Sequence, residues 1–456
     1  MNKLCDDTNN LILSFLIEPN KNDDDTQLIL SNDVFILRLT SKYWNKLICD
    51  YVDNNYKNIR VLFTDTIECA CENGHINKLE WWTNLCKHNG YEFKYDEYMI
   101  NVASSNGHVD ILEWFSKLCK NSEFEFKYDE SAIDNACENG HTNVLEWWKN
   151  SGYELQYSTY AINWGSCEGH TNVLEWWKKL CKNSGYELKY DESAINWASD
   201  SGHIHVLEWW KNSGYEFKYD ANAIGGASGN GHIDVLEWFE NSDYEFKYDE
   251  DSIIDASENG RIDVLEWWKN SGYDFIYDEL VISTTCSNGH INVLEWWKNS
   301  GYEFKYNDNA VWNACKNGHV NVLEWWKNSG YDFIYDKYAI HEACRNGNLN
   351  VLEWFKNSGY EFKYSEDAID NASKNRHLHI LEWWKHSVYE FKYTENAINR
   401  ASENGHIDVL EWWKNSGYEL KYTENAISKV CIIGRVNVLE WWKHSGYELK
   451  YTENAI

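Results

Sequence analysis

The ten residues Val144-Leu145-Glu146-Trp147-Trp148-Lys149-Asn150-Ser151-Gly152-Tyr153 constrain the fold more than any other stretch, because they recur thirteen times with little change. Their Leu falls at Leu79, Leu112, Leu145, Leu174, Leu207, Leu236, Leu265, Leu294, Leu323, Leu352, Leu381, Leu410 and Leu439. Nine of the twelve spacings are 29 residues and three are 33. Self-similarity at a fixed period of this size marks a solenoid, in which each unit buries its apolar face only against its neighbours.

Val144, Leu145, Trp147 and Trp148 stand at i, i+1, i+3 and i+4, one stripe of a helix, with Glu146 and Lys149 outside it. Gly152 follows where a left-handed helix stop is wanted. The spacing therefore predicts a helix, B, with one wide buried face that takes in both Trp residues. A shorter pattern precedes each B, as in residues 131–141, where Ala132, Ile133, Ala136 and Cys137 share a face. It predicts a second helix, A, closed by the turn Asn139-Gly140 and opened by caps such as Asp191, Thr394 and Thr423. Between B and the next A, alternation in Tyr215-Glu216-Phe217-Lys218-Tyr219 reads as a short extended link. The three longer spacings come from about four extra residues at 83–90, 116–123 and 178–185. Four residues add about one turn, roughly 6 Å, without rotating the buried stripe, so these B helices are expected to protrude.

Residues 1–60 lie outside the repeat and read as a helical cap: a short apolar helix at 11–16, an acidic loop from Glu18 to Asp25, and an amphipathic stretch over 33–48. The array occupies 61–456. Its last residues, 452–456, look like the first turn of a fourteenth helix A with no B after it. Val438, Trp441 and Trp442 are accordingly expected to be partly exposed.

Several function classes are disfavoured. The net charge is 42 − 73 = −31, a poor match for nucleic acid, whose affinity comes from Lys and Arg. No apolar run reaches the roughly 18–20 residues of a membrane span, and no basic-then-apolar secretory leader opens the chain. Of the thirteen Cys, Cys71, Cys137, Cys315 and Cys344 occupy a slot that is Ser104, Ser257, Ser373 or Ser402 in sister repeats. Interchange with Ser fits small free thiols in a reducing cytoplasm. A His recurs at His75, His108, His141, His170, His203, His232, His290, His319, His377 and His406. Helices stacked about 8–10 Å apart cannot bring two of them to one ion, so a structural role is expected and no metal or cofactor. No phosphate loop, Gly-x-Ser-x-Gly or His-Glu-x-x-His occurs, and a repeated unit offers no unique catalytic pocket.

The order A, turn, B, with Asn-Gly-His-x-x-Val-Leu joining the helices over residues 64–456, resembles the ankyrin repeat. The Thr-Pro-Leu-His opening of that family is absent here, and the 29-residue unit is four short of its usual length. The missing residues fall where ankyrins carry a β-hairpin finger, which is expected to be stunted. The resemblance implies an all-α helix-pair solenoid that recognises other proteins without catalysis. The Asn-, Lys- and Tyr-rich dialect is similar to ankyrin-type proteins of giant viruses of amoebae, which implies a host-cell cytoplasmic setting. By the same resemblance, the second residue after the helix A Ile lies on a concave surface where partners dock. That position varies from repeat to repeat, and Trp164, Trp197, Asp255, Asn313, Glu342 and Arg400 are the candidates for contact. The competing reading is drift at a solvent-facing position.

Residues 4–48 resemble an F-box: Leu11 to Leu16 match the first half of that motif and Asp33 to Ile48 the second, without its opening Leu-Pro and with a longer link between halves. This implies docking on the adaptor subunit of a cullin-type ubiquitin ligase through Leu13, Phe15, Leu16, Leu37 and Leu39, with Trp44 holding the bundle. The alternative is a lid that only covers the first repeat.

Overall fold

The computed structural model describes residues 17–19, 28–30, 64–89, 93–121 and 124–452. It divides into two compact units, residues 1–190 and 191–456. The first holds four helix pairs: Thr64–Glu72 with Ile76–Asn89, Glu97–Ser105 with Val109–Lys120, Ser131–Glu138 with Thr142–Ser151, and Tyr160–Cys167 with Thr171–Ser184. The second holds nine, from Ser193–Asp200 with Ile204–Ser213 to Asn425–Ile433 with Val436–Ser445. From Thr64 on, the described residues of each unit form an all-α solenoid of A–B pairs, as the period requires. The B helices ending in the three insertions are 14, 12 and 14 residues long, against ten for Thr142–Ser151. In the last of the three, the added turn buries Leu180.

Within each unit, successive A helices pack against each other and each B packs on its own A. Small side chains make this possible: Ala132, Ala136 and Cys137 are fully buried, as are Ala194, Ala198 and Ser199 in the next unit. The caps work as expected, with Asp191 Oδ1 accepting from Ser193 N, and Thr394 and Thr423 Oγ1 accepting from Asn396 N and Asn425 N. At the A–B turn the backbone of Gly140 is left-handed, φ 74°, and a Cβ there would stand 2.8 Å from the ring of His170 in the next repeat. The recurrent His thus lies flat on the preceding glycine turn. His377 and His406 also hold the carbonyls of Arg345 and Lys374 through Nε2.

The two Trp residues of helix B are both buried only in the pairs Trp296-Trp297, Trp325-Trp326 and Trp441-Trp442 among the described residues; in the other repeats the outer one lies at the edge, which corrects the sequence expectation. Trp148 is fully buried with Val144 and Leu145, but Trp147 is half-exposed at the edge. The inner indole donates its Nε1–H to the Ser or Cys slot of the preceding helix A: Trp268 to Ser228, Trp297 to Ser257, Trp413 to Ser373 and Trp442 to Ser402, at 2.7–3.2 Å. Trp177, Trp326 and Trp384 use Cys137, Cys286 and Cys344. The outer indole donates to the helix B Glu of the preceding repeat, as Trp176 does to Glu146 and Trp325 to Glu295. That bond, with Lys149 and Asn150 beside it, holds the Glu146 carboxyl down at about 2. The helix B Glu residues outside the stripe are therefore steps of a ladder between repeats. In the link, Phe217 stacks on Tyr244 at 4.1 Å and on Trp238 at 5.8 Å. Tyr277 donates to Glu303 O at 2.9 Å under the Lys305 ammonium. Such repeat-to-repeat bonds make the stack a chain of nearest-neighbour interfaces.

Both ends depart from expectation. The last helix pair buries Val438, Trp441 and Trp442, at 0%, 8% and 1% exposure. The reason is directional: B-helix Trp side chains pack backward, Trp442 on Ser402 and Trp441 on Glu411, so they need no following repeat. Ile432, Ile433 and Val436 are the apolar side chains left exposed there. At the other end, the described segments are strands and not helix. β1 (Ile17–Pro19) pairs antiparallel with β2 (Leu28–Leu30), so the expected acidic loop from Glu18 begins within a strand. Leu13, Phe15, Leu16, Leu37, Leu39 and Trp44 lie outside the described residues.

Candidate partner-binding surface

Helix A presents two adjacent positions of opposite character. The residue directly after the Ile is buried yet polar: Asn101, Asp134, Asn196, His341, Asp370 and Asn399 are all under a tenth exposed. Each bonds the cap of the next helix A. Asn196 Nδ2 donates to Asp220 Oδ1 at 2.7 Å, and Asn399 Nδ2 to Thr423 Oγ1 at 2.9 Å. The Asp134 and Asp370 carboxylates accept from the hydroxyl and backbone N–H of Ser158 and Thr394. The pairing is complementary. Asn faces an Asp or a Thr cap, Asp faces a hydroxyl cap, and in none of these pairs does a carboxylate meet a carboxylate. Burial still raises Asp134, and lifts Asp370 to about 6 against those hydrogen bonds. Ser365 N donates to His341 Nε2 at 3.0 Å, so this ring is neutral with its proton on Nδ1, and burial holds its pKa down. The signal was present in the sequence as paired changes 24 residues apart, but was read there only as caps.

The next position is the variable row. Trp164, in the first unit, is half-buried; in the second unit Trp197, Asp255, Asn313 and Glu342 are half-buried and Arg400 is exposed. Several row residues also hold neighbours. Asn313 Nδ2 donates to Ser283 O at 3.3 Å, and Glu342 pairs with Arg345 at 3.3 Å. Burial, with Asp251, Glu258, Asp249 and Asp200 around it, raises the Asp255 carboxyl to about 6. At Gly226 a Cβ would meet Asp200 Oδ1 at 2.6 Å, so close approach of two A helices dictates that residue. Arg400 and Asn371 line a hollow of about 190 Å³ with Arg345, Asp370 and Lys374. The six candidates are not gathered into one pocket; they are spread along the A helices.

Other chemistry is sparse. Among the described residues, no three His, Cys, Asp or Glu side chains stand close enough to hold a metal ion. No described helix is long and apolar enough to cross a membrane. Cys286 and Cys344 are buried, with burial pushing both thiols up to about 12, the wrong direction for a nucleophile.

Comparison with known proteins places one segment: residues 311–355 match the model for ankyrin repeats (many copies). Among solved structures, the human ASB11 ankyrin repeat domain aligns at 16% identity over 38% of this chain and 86% of that one, with a TM-score of 0.31. The pentatricopeptide repeat protein PPR10 from maize aligns at 12% identity over 92% of this chain and 74% of that one, with a TM-score of 0.33. No curated protein sequence matches the chain.

Proposed function

We propose that the array is a protein-recognition scaffold whose contacts are made by the variable row of the A helices. The supporting observation is a contrast within each repeat. The helix B positions that hold repeats together, the Leu, the Glu and the outer Trp, are nearly invariant along the chain, while one partly exposed position of helix A carries Trp, Asp, Thr, Asn, Glu, Arg or Lys in turn. Half-buried Trp164 and Trp197 are the strongest anchors, because large aromatic side chains already held by their surroundings concentrate interface energy. Trp164→Ala with Trp197→Ala is expected to weaken binding to a purified partner at least tenfold. Unchanged affinity would assign the row to drift.

The finer reading is a viral adaptor that delivers its target to a cullin-type ligase through residues 1–60. It rests on the F-box-like sequence alone. Its test is pull-down of the cullin adaptor subunit by the full chain, with Leu16→Asp and Leu37→Asp abolishing capture. Failure of the unaltered chain to bind would leave this segment as a lid.

A further inference from the structure

A further hollow on the A helices lies in the first unit. A hollow of about 540 Å³ opens across the first three A helices, lined by Glu68, Glu72, Glu97, Tyr98, Asn101 and Asp129 among others. No Lys or Arg lines it, and its walls include the row positions Val102 and Asn135. Hydrogen bonding to Glu68 holds the Tyr98 phenol in its protonated form, so that hydroxyl is spent on a carboxylate.

The floor carries the second observation. Asn101 is 6% exposed, its Nδ2 donates to Asp129 Oδ1 at 2.8 Å, and its Oδ1 has no partner. In the sister slots this oxygen is satisfied. Asn399 Oδ1 accepts from Thr423 N at 3.1 Å, and Asn196 Oδ1 from Asp220 N at 3.3 Å. The repeat that holds Asn101 is one of the long ones, with its next cap, Asp129, 28 residues on and not 24, and there the amide oxygen is left without the cap N–H. A buried amide oxygen without a donor is destabilising, and a donor from a ligand would satisfy it.

We infer that this hollow receives an arginine side chain of a protein partner. The inference rests on the scaffold reading above and names the chemistry of one of its contacts. The charged side chains that line the site, Glu68, Glu72, Glu97 and Asp129, are all acidic, and Ser105, Asn106, Ser131 and Asn135 add neutral polar groups beside them. Its carboxylates are too dispersed for a metal ion, since no described cluster meets that geometry. A guanidinium is planar, keeps its charge and carries five donors spread over a fork, which suits separated carboxylates and an amide oxygen better than a compact ammonium does.

The test uses the full chain and a fluorescein-labelled peptide, Ala-Arg-Ala-Arg-Ala, read by anisotropy, against the same peptide with citrulline for arginine. The whole chain is acidic, so the control must separate a site from a field. Glu68→Gln with Glu97→Gln is compared with Glu237→Gln with Glu361→Gln, which removes equal charge from exposed positions of the second unit. The expected result is at least tenfold weaker binding of the arginine peptide to the first variant, under twofold change in the second, and no saturable binding of citrulline. Equal losses in both variants, or calcium displacing the peptide beyond its ionic-strength effect, would overturn the inference. The Trp164 and Trp197 variants separate the two proposals. If they abolish partner binding while the Glu68 and Glu97 changes do nothing, the row stands and the arginine site falls.

Discussion

Ser257→Ala and Trp297→Phe, singly and together, probe the bond on which the stacking of repeats depends. Both residues are fully buried, and the indole donates to the hydroxyl at 3.2 Å. Ser257→Ala leaves a buried indole N–H without an acceptor, a cost of about 1–3 kcal/mol. Trp297→Phe removes the donor instead. The freed hydroxyl can turn to the carbonyl four residues back, as Ser199 does to Ile195 O at 2.8 Å, so the loss is ring packing, roughly 1–2 kcal/mol. The double variant should then cost little more than Trp297→Phe alone, a coupling of about 1 kcal/mol or more. The chain carries this arrangement already, since the repeats with Phe115, Phe239 and Phe355 have no indole to satisfy. Global unfolding of a long array is not two-state, so the assay is native-state hydrogen exchange of residues 251–299 in the full chain. Additivity within roughly 0.3–0.5 kcal/mol would refute the reasoning.

Three further outcomes are expected. The Asp370 carboxyl is raised from 3.8 to about 6 in the fold, so the native state holds its proton more tightly than the unfolded chain. That contribution is complete below pH 4 and lost as pH rises through 6. Asp370→Asn recreates the amide–threonine pair of Asn399 and Thr423 and should stabilise its repeats by on the order of 1 kcal/mol at pH 7.5 but not at pH 4, measured by native-state hydrogen exchange of residues 367–404. The Cys286 and Cys344 thiols, pushed up to about 12 by burial, should react with a thiol-disulfide reagent only on unfolding; fast labelling of the native chain would contradict their packing. Gly140→Ala meets both a left-handed backbone at φ 74° and the His170 ring, whereas Gly152→Ala meets φ 85° with nothing within 4 Å. The first should cost more than the second, which carries only the roughly 1–2 kcal/mol of strain, and equal melting shifts would show that the ring yields.

Periodicity made the scaffold legible. A period of 29 with a helical stripe and a glycine stop predicts helix pairs, and the four-residue insertions predict the longer B helices found at 76–89 and 171–184. What the stripe could not give was direction. Trp147 and Trp148 are equally apolar in sequence, and only the placement of the preceding repeat makes one a core residue and the other a half-exposed donor to Glu113. The same blindness produced the wrong expectation for Trp441 and Trp442, because a stripe does not say whether it packs forward or back. Asn101 was invisible for a related reason. Its orphaned oxygen depends on whether the cap N–H comes within reach, a distance in space that the residue type does not encode.

Site-specific photo-crosslinking tests the scaffold reading most directly. A photoreactive residue is placed in the full chain at Asn313 or Arg400, on the A-helix row, or at Lys298 or Lys414, exposed on B helices, and exposed to a purified partner. The row predicts adducts from 313 and 400, competed by unlabelled chain, and none from 298 or 414. Adducts from the B-helix positions with none from the row would contradict it.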